Sequence, residues 1–244
     1  MEGESFGDFE IEVESEISDE FLVILVFGRK YPVPISEQTL EVAWKVFILP
    51  TNGKVNFMFP HKSKVGAFYF HGESQGIAGP LDAKIGSTWI AMSSADEGSL
   101  MLTESGSSQS DTHSGYVVCN QEPLSGEGCI IYAVLYKEES VRPILSKKCR
   151  VGNVVALKPI NNLYICVMIP SYSATCNEFL DYVHGSKKVS VGAAEINEVK
   201  ELLPDCEFTP IFELNLSKYC GHVKINIKVQ EKNGGKIELI PSPA

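Results

Sequence analysis

Five side chains in one stretch of this sequence combine ring-stacking with hydrogen-bonding chemistry. His71, Glu73, Gln75, Asp82 and Trp89 fall within HGESQGIAGPLDAKIGSTW. An aromatic face beside amide, carboxylate and imidazole groups is a set suited to sugars. The ring packs on the apolar side of the saccharide and the polar groups bond its hydroxyls. The stretch also holds four glycines, one proline and no helical pattern, and strand-like runs flank it. Hairpin loops usually span two to five residues, so a connection of about seventeen is either a crossover between sheets or a functional loop. We expect it to present these five residues as a shallow polar ligand site at one end of a β-structure.

Other reactive patterns do not assemble. Gly72, Gly76, Gly79 and Gly86 have neither of the spacings that cradle a phosphate ahead of a helix. No G-x-S-x-G nucleophile elbow occurs. Cys176 and His184 are the best thiol–imidazole pair, but nothing else marks them as nucleophile and base. His61, His71, His113, His184 and His222 show no H-x-H or H-x-x-x-H spacing, and no C-x-x-C pair exists, so no metal site is expected. Glu73, Asp82, Asp96 and Glu97 lie near expected loop tips, and nothing selects two of them as a glycosidase pair. No catalytic residue, metal or cofactor is assigned.

Charge narrows the partners. The chain has 244 residues and a formal charge of −10. The first twenty residues carry nine acids and no base, leaving 22 acids against 21 bases elsewhere. A nearly neutral body with an acidic terminal segment argues against nucleic acid and against an anionic membrane surface. No apolar run is long enough to span a bilayer as a helix. MEGESFGDFE lacks the basic and apolar regions of a secretory leader, so the expected location is cytoplasmic, or outside by leaderless export. Seven cysteines, several of them inside apolar runs, suit buried free thiols better than a disulfide framework. The sequon at Asn215 matters only outside the cell.

The elements that must position any site are strands. In DFEIEVESEI, Phe9, Ile11, Val13 and Ile17 alternate with Glu10, Glu12, Glu14 and Glu16. Period two gives one apolar and one acidic face, which reads as an edge strand charged against edge-to-edge pairing, or as a tail. A calcium site would gather Asp, Asn and Gly at a turn, which this run lacks. FLVILVF reads as a strand buried on both faces. Pro50-Thr51-Asn52-Gly53 between two β-rich runs reads as a hairpin turn. TWIAMS and SLMLTE, and the two halves of HVKINIKVQEKNGGKIELIP, read as further hairpins. SGSSQSDTHSG, residues 105–115, has no apolar residue and reads as a solvated loop; its flanks also have the texture of a short bilayer-inserting hairpin. AAEINEVKELLP supplies the one helix, near 193–203, with Ile196, Val199, Leu202 and Leu203 on one face.

Short strands with turn signals every ten or so residues indicate an all-β, antiparallel β-sandwich of jelly-roll-like type. The expected division is an acidic segment over 1–20, a sandwich core over 21–176 and a smaller β-rich portion with the helix over 177–244, possible as part of the same domain. No family resemblance is specific enough to name. The leading functional expectation is a non-enzymatic binding protein, lectin-like, taking carbohydrate at the end of the sandwich where the loop from His71 to Ser87 lies. The alternative is a self-assembling structural or interaction protein, a homo-oligomeric sandwich subunit. An enzyme of unknown class ranks third.

Overall fold

The computed structural model describes residues 8–17, 22–29, 43–71, 74–93, 100–107, 115–120, 130–137, 143–169, 207–208, 210–219, 224–232 and 236–243. The fold is all-β, with several mainly antiparallel sheets. In chain order the strands are β1 (Phe9–Ser15), β2 (Leu22–Phe27), β3 (Lys45–Leu49), β4 (Lys54–Phe59), β5 (Ser63–His71), β6 (Ser74–Asp82), β7 (Ser87–Ser93), β8 (Leu100–Ser107) and β9 (Tyr116–Asn120). Then follow β10 (Ile130–Lys137), β11 (Pro143–Cys149), β12 (Val154–Leu157), β13 (Asn162–Ile169), β14 (Glu207–Phe208), β15 (Phe212–Asn215), β16 (Lys224–Lys232) and β17 (Lys236–Pro243). A 3-10 turn, Leu216–Tyr219, follows β15. Among the described residues no helix is long and apolar enough to cross a membrane.

The chain forms two compact units. The first gathers β1–β4 and β13–β17 into sheets ordered β17-β16-β1-β4 and β14-β13-β2-β3, with β15 also on β13. Its core lies between them. β2 is buried along its whole length, as its unbroken apolar run predicts. Trp44, just before β3, meets Phe57 and Phe59 of the opposite sheet edge-on, with ring centroids 6.2 and 5.6 Å apart. Phe47 of β3 stacks on Phe57 at 5.1 Å. The turn at Pro50–Gly53 exists: the Gly53 amide donates to the Pro50 carbonyl at 2.9 Å, and Asn52 takes φ 47°. It is not a hairpin, however. β3 pairs with β2 and β4 with β1, so the turn carries the chain from one sheet to the other.

β1 is not an edge strand or a tail. It lies inside its sheet, parallel to β16 on one side and antiparallel to β4 on the other. Its apolar face, Phe9, Ile11 and Val13, is buried. Its glutamates survive in a central strand because both neighbours set lysines beside them. Lys224 donates to Glu12 at 3.0 Å, Lys54 to Glu12 at 3.3 Å, and Lys228 to Glu16 at 2.8 Å. One sheet thus joins a strand of the 1–20 segment to strands of the 177–244 portion, and the units do not divide at 20 and 176. The helix expected near 193–203 lies outside the described residues.

The second unit gathers β5–β12 into sheets ordered β11-β10-β5-β6 and β12-β9-β7-β8. The core is built from Val65, Ala67, Tyr69, Trp89, Ala91, Leu102, Val118, Ile131, Ala133, Leu135 and Leu157. β7 and β8 form the expected antiparallel pair, as do β16 and β17 in the first unit. The Ser-rich stretch begins as the end of β8, and its residues 108–114 lie outside the described residues. Its flanking strands cannot be a membrane hairpin with each other, because β7 stands between β8 and β9.

Candidate functional site

The 71–89 stretch is not a loop. Ser74–Asp82 is strand β6, paired along β5 from His71 opposite Ser74 to Lys64 opposite Asp82. Its glycines fit β5 closely rather than loosening the chain. A Cβ on Gly76 would sit 2.0 Å from the Tyr69 ring, and Gly79, at φ +89°, lies where the register shifts between Val65 and Ala67. Glycine and proline in this run therefore mimic loop composition while serving a strand.

That pairing separates the five expected site residues. His71 and Gln75 lie in the paired segment near one end of the β5–β6 ladder, and Asp82 ends it at the other. Seven strand residues at about 3.3 Å each place the two ends about 23 Å apart. Asp82 projects into solvent with its side chain 92% exposed, 3.5 Å from the Lys64 ammonium. Trp89 is only 4% exposed, and its indole N–H donates to Ser87 Oγ at 2.8 Å. It is a core residue and offers no ring face to a ligand. Glu73 lies outside the described residues. No single site holds His71, Asp82 and Trp89 together.

Several other reactive groups among the described residues are held by the structure. The Cys149 thiol is buried, which pushes its pKa up, and its Sγ contacts the Asn153 carbonyl at 3.3 Å. Among the described residues Cys119, Cys149 and Cys166 are free thiols, Cys149 and Cys166 buried and Cys119 half-buried. Burial pushes the Tyr136 phenol up to about 12. Glu12 is held below its ordinary 4.5 first by the hydrogen bond from Lys224, against a smaller opposing effect of burial. Among the described residues no cluster of three metal-ligating side chains occurs. No protein-family model, curated protein or solved structure matches the chain.

What the second unit does present is a sheet face. Strand parity and register define the outer side of β12-β9-β7-β8. Thr88, Ile90 and Met92 alternate with the buried Ser87, Trp89 and Ala91 along β7. Ile90 aligns with Thr103 and Cys119, Met92 with Met101, and Cys119 with Val154. Val154 is 63% exposed and Met101 50%, Ala156 is exposed, and Ile90, Met92 and Cys119 are half-buried. None of these outward residues is charged. Four strands about 4.8 Å apart, over the five residues from Thr88 to Met92, make a patch of about 300 Å² in flat projection. An apolar patch of that order matches the low end of the largest patches on ordinary monomers, about 300–600 Å², which are often functional.

The rim differs from the centre. Lys147, on β11, reaches the β12 edge, where its ammonium donates to the Ala156 carbonyl at 3.1 Å. Glu104 is exposed on β8, the opposite edge, but stands opposite the buried Trp89 in the phase of buried Leu100 and Leu102, and so belongs to the inner side of the sheet. The outer face of the β17-β16-β1-β4 sheet shows the contrast: there Glu10, Glu12 and Glu14 alternate with lysines of both neighbouring strands. Sequence reasoning missed the apolar face because outward Ile90, Met92 and Val154 look like core residues when each strand is read alone. The signal was apolar character on both phases of the alternation in TWIAMS and VVAL.

Proposed function

We propose that this chain is a non-enzymatic interaction protein that self-associates through the outer face of its β12-β9-β7-β8 sheet. The observation that supports the reading is the uncharged centre of that face, with Val154 and Met101 strongly exposed on a chain of net charge −10. Two copies that repel one another elsewhere can meet there without opposing like charges. Sheets pack face to face about 10 Å apart through interdigitating apolar residues, and these positions supply them on all four strands. A patch near 300 Å² per copy is well below the roughly 800 Å² per partner of a standard specific interface, so the expected association is weak. The glycan reading is not the one adopted, because its aromatic and polar groups do not converge.

The test is sedimentation equilibrium across a wide range of protein concentration. The wild-type chain is expected to shift from monomer to dimer with concentration. Met101→Lys and Val154→Lys, at solvent-facing positions, are each expected to hold it monomeric with an unchanged circular dichroism spectrum. A wild-type monomer at every concentration, or a dimer indifferent to both lysines, overturns the reading.

A further inference from the structure

We propose that Asn52–Gly53 is a modification site gated by the fold. The Asn52 side chain stays an amide while its turn is docked on the end of β1, and it converts to aspartate and isoaspartate once the turn opens.

The residue types carry the chemistry. Asparagine is a thermolabile residue. Its side-chain carbonyl carbon, Cγ, can close a five-membered ring with the main-chain nitrogen of the next residue. Glycine shields that nitrogen least, because it has no side chain. Base removes the Gly53 amide proton, and the nitrogen attacks Asn52 Cγ. The new N–Cγ bond forms as the Cγ–Nδ2 bond breaks, and Nδ2 takes up a proton and leaves as ammonia. Water then opens the cyclic imide. Addition at Cγ leaves aspartate. Addition at the main-chain carbonyl carbon leaves isoaspartate, with the chain now running through the former side chain. One water is consumed, one ammonia is released, nothing is oxidised, and the turn gains a negative charge.

Solvent reaches the site, since Thr51 and Asn52 are exposed. The backbone is what withholds the reaction. The attacking nitrogen is engaged, its N–H donating to the Pro50 carbonyl at 2.9 Å. The Gly53 carbonyl accepts from the Ser15 amide at 2.9 Å, and the Asn52 amide donates to the Ile17 carbonyl at 3.2 Å. Asn52 takes φ 47°, and at that place in a turn ψ lies at about 0–50°. Such a ψ holds the Gly53 nitrogen on the far side of the Cα–C bond from Cβ. Ring closure needs the two eclipsed, a rotation of well over a quarter turn. That rotation would break the bond to Pro50 and carry the Gly53 carbonyl away from Ser15. The reaction therefore passes through a local opening in which the turn leaves the end of β1.

The isoaspartyl product cannot close the same turn. It lengthens the main chain by one carbon, and the turn has no slack: a Cβ on Gly53 would already stand 2.4 Å from Pro50 Cγ. This turn carries the chain from one sheet of the first unit to the other. Each conversion thus leaves a permanent mark on a chain that has opened there.

To test this, the full chain is aged at mildly alkaline pH, in native buffer and in guanidinium chloride, and then cleaved with trypsin. The peptide from Val46 to Lys54 contains Asn52 as its one side-chain amide, so a gain of one mass unit there reads the conversion directly. Conversion is expected to be at least about 10-fold slower in native buffer than in denaturant. Pro50→Gly loosens the turn without touching Asn52, Gly53 or β1. It is expected to speed the native reaction about 2–5-fold and to leave the denatured one unchanged. A smaller ratio between denatured and native rates, no conversion in denaturant, or a folded Pro50→Gly chain that converts no faster than wild type overturns the proposal. The wild-type ratio stands as a test by itself if that variant fails to fold.

Discussion

Phe59 tests whether the two sheets of the first unit are held together where the rings meet. It is buried, and its ring stands edge-on to Trp44 at 5.6 Å and 87°. Trp44 is 1% exposed and also touches Phe57. A buried phenyl ring removes roughly 150–200 Å² from water, worth about 4–5 kcal/mol at about 25 cal/mol per Å². Truncation to alanine keeps part of the β-carbon contact but leaves a cavity, so the net loss for Phe59→Ala is expected at about 3–5 kcal/mol. The edge-on geometry makes about 0.5–1.5 kcal/mol of this specific to the pair. The chain has two tryptophans, Trp44 in the first unit and Trp89 in the second. In a Trp89→Phe background the fluorescence therefore reports the first unit alone. Urea unfolding in that background should show a midpoint lower by about 2 M, taking a slope near 2 kcal/mol per M. Circular dichroism of Phe59→Ala, Trp44→Leu and the double variant then gives the coupling. A loss below about 1.5 kcal/mol, or a coupling near zero, would refute the claim that these rings join the sheets.

Two further outcomes follow from the same reasoning. Glu12→Gln should destabilise the first unit at pH 7 and do so progressively less in acid. Glu12 has a lowered folded pKa, so its contribution is complete above the unfolded value near 4.5 and is lost as pH falls through the folded one; urea midpoints of both proteins from pH 7 to pH 2.5 check this, and a penalty constant with pH would sink it. Gly76→Ala should cost about 2–3 kcal/mol, because its methyl would stand 2.0 Å from the Tyr69 ring, and the penalty should shrink in a Tyr69→Leu background; an equal penalty in both backgrounds would show that the ring is not the obstacle.

The fold class was legible because alternation of apolar and polar residues survives in most strands. FLVILVF and the Phe9–Ile17 run declared their faces from side-chain order alone. Strand neighbours were legible only for the local pairs β7–β8 and β16–β17. β1 reads as an edge because its outward residues are acidic, and only the lysines on β4 and β16, far away in sequence, make that charge acceptable in a sheet interior. The Pro50–Gly53 turn was legible as a turn, but nothing local states whether the next strand pairs back or crosses to the other sheet. β6 was hidden by composition: Gly76 and Gly79 answer to the Tyr69 ring and to a register shift on β5, which are tertiary facts. The candidate site failed for the same reason, since closeness in sequence across a strand means distance in space. The face proposed in its place is a property of four strands read side by side.

The parallel pairing of β1 with β16 also sets a timetable for synthesis. The second unit's described strands all lie between Ser63 and Leu157, so that unit can close as soon as its own residues have emerged. The first unit cannot. Its β1 and β4 come early, but the partner on the other flank of β1 begins only at Lys224. At about 5–20 residues per second, the chain between Phe59 and Lys224 takes on the order of 10–30 s to make. During that interval β1 has one open hydrogen-bonding edge beside a side chain row of Phe9, Ile11 and Val13. The glutamates that alternate with those residues place like charge on any second nascent chain that approaches it. The same carboxylates that later hold Lys224 and Lys228 thus keep the waiting strand from the wrong neighbour until the right one arrives.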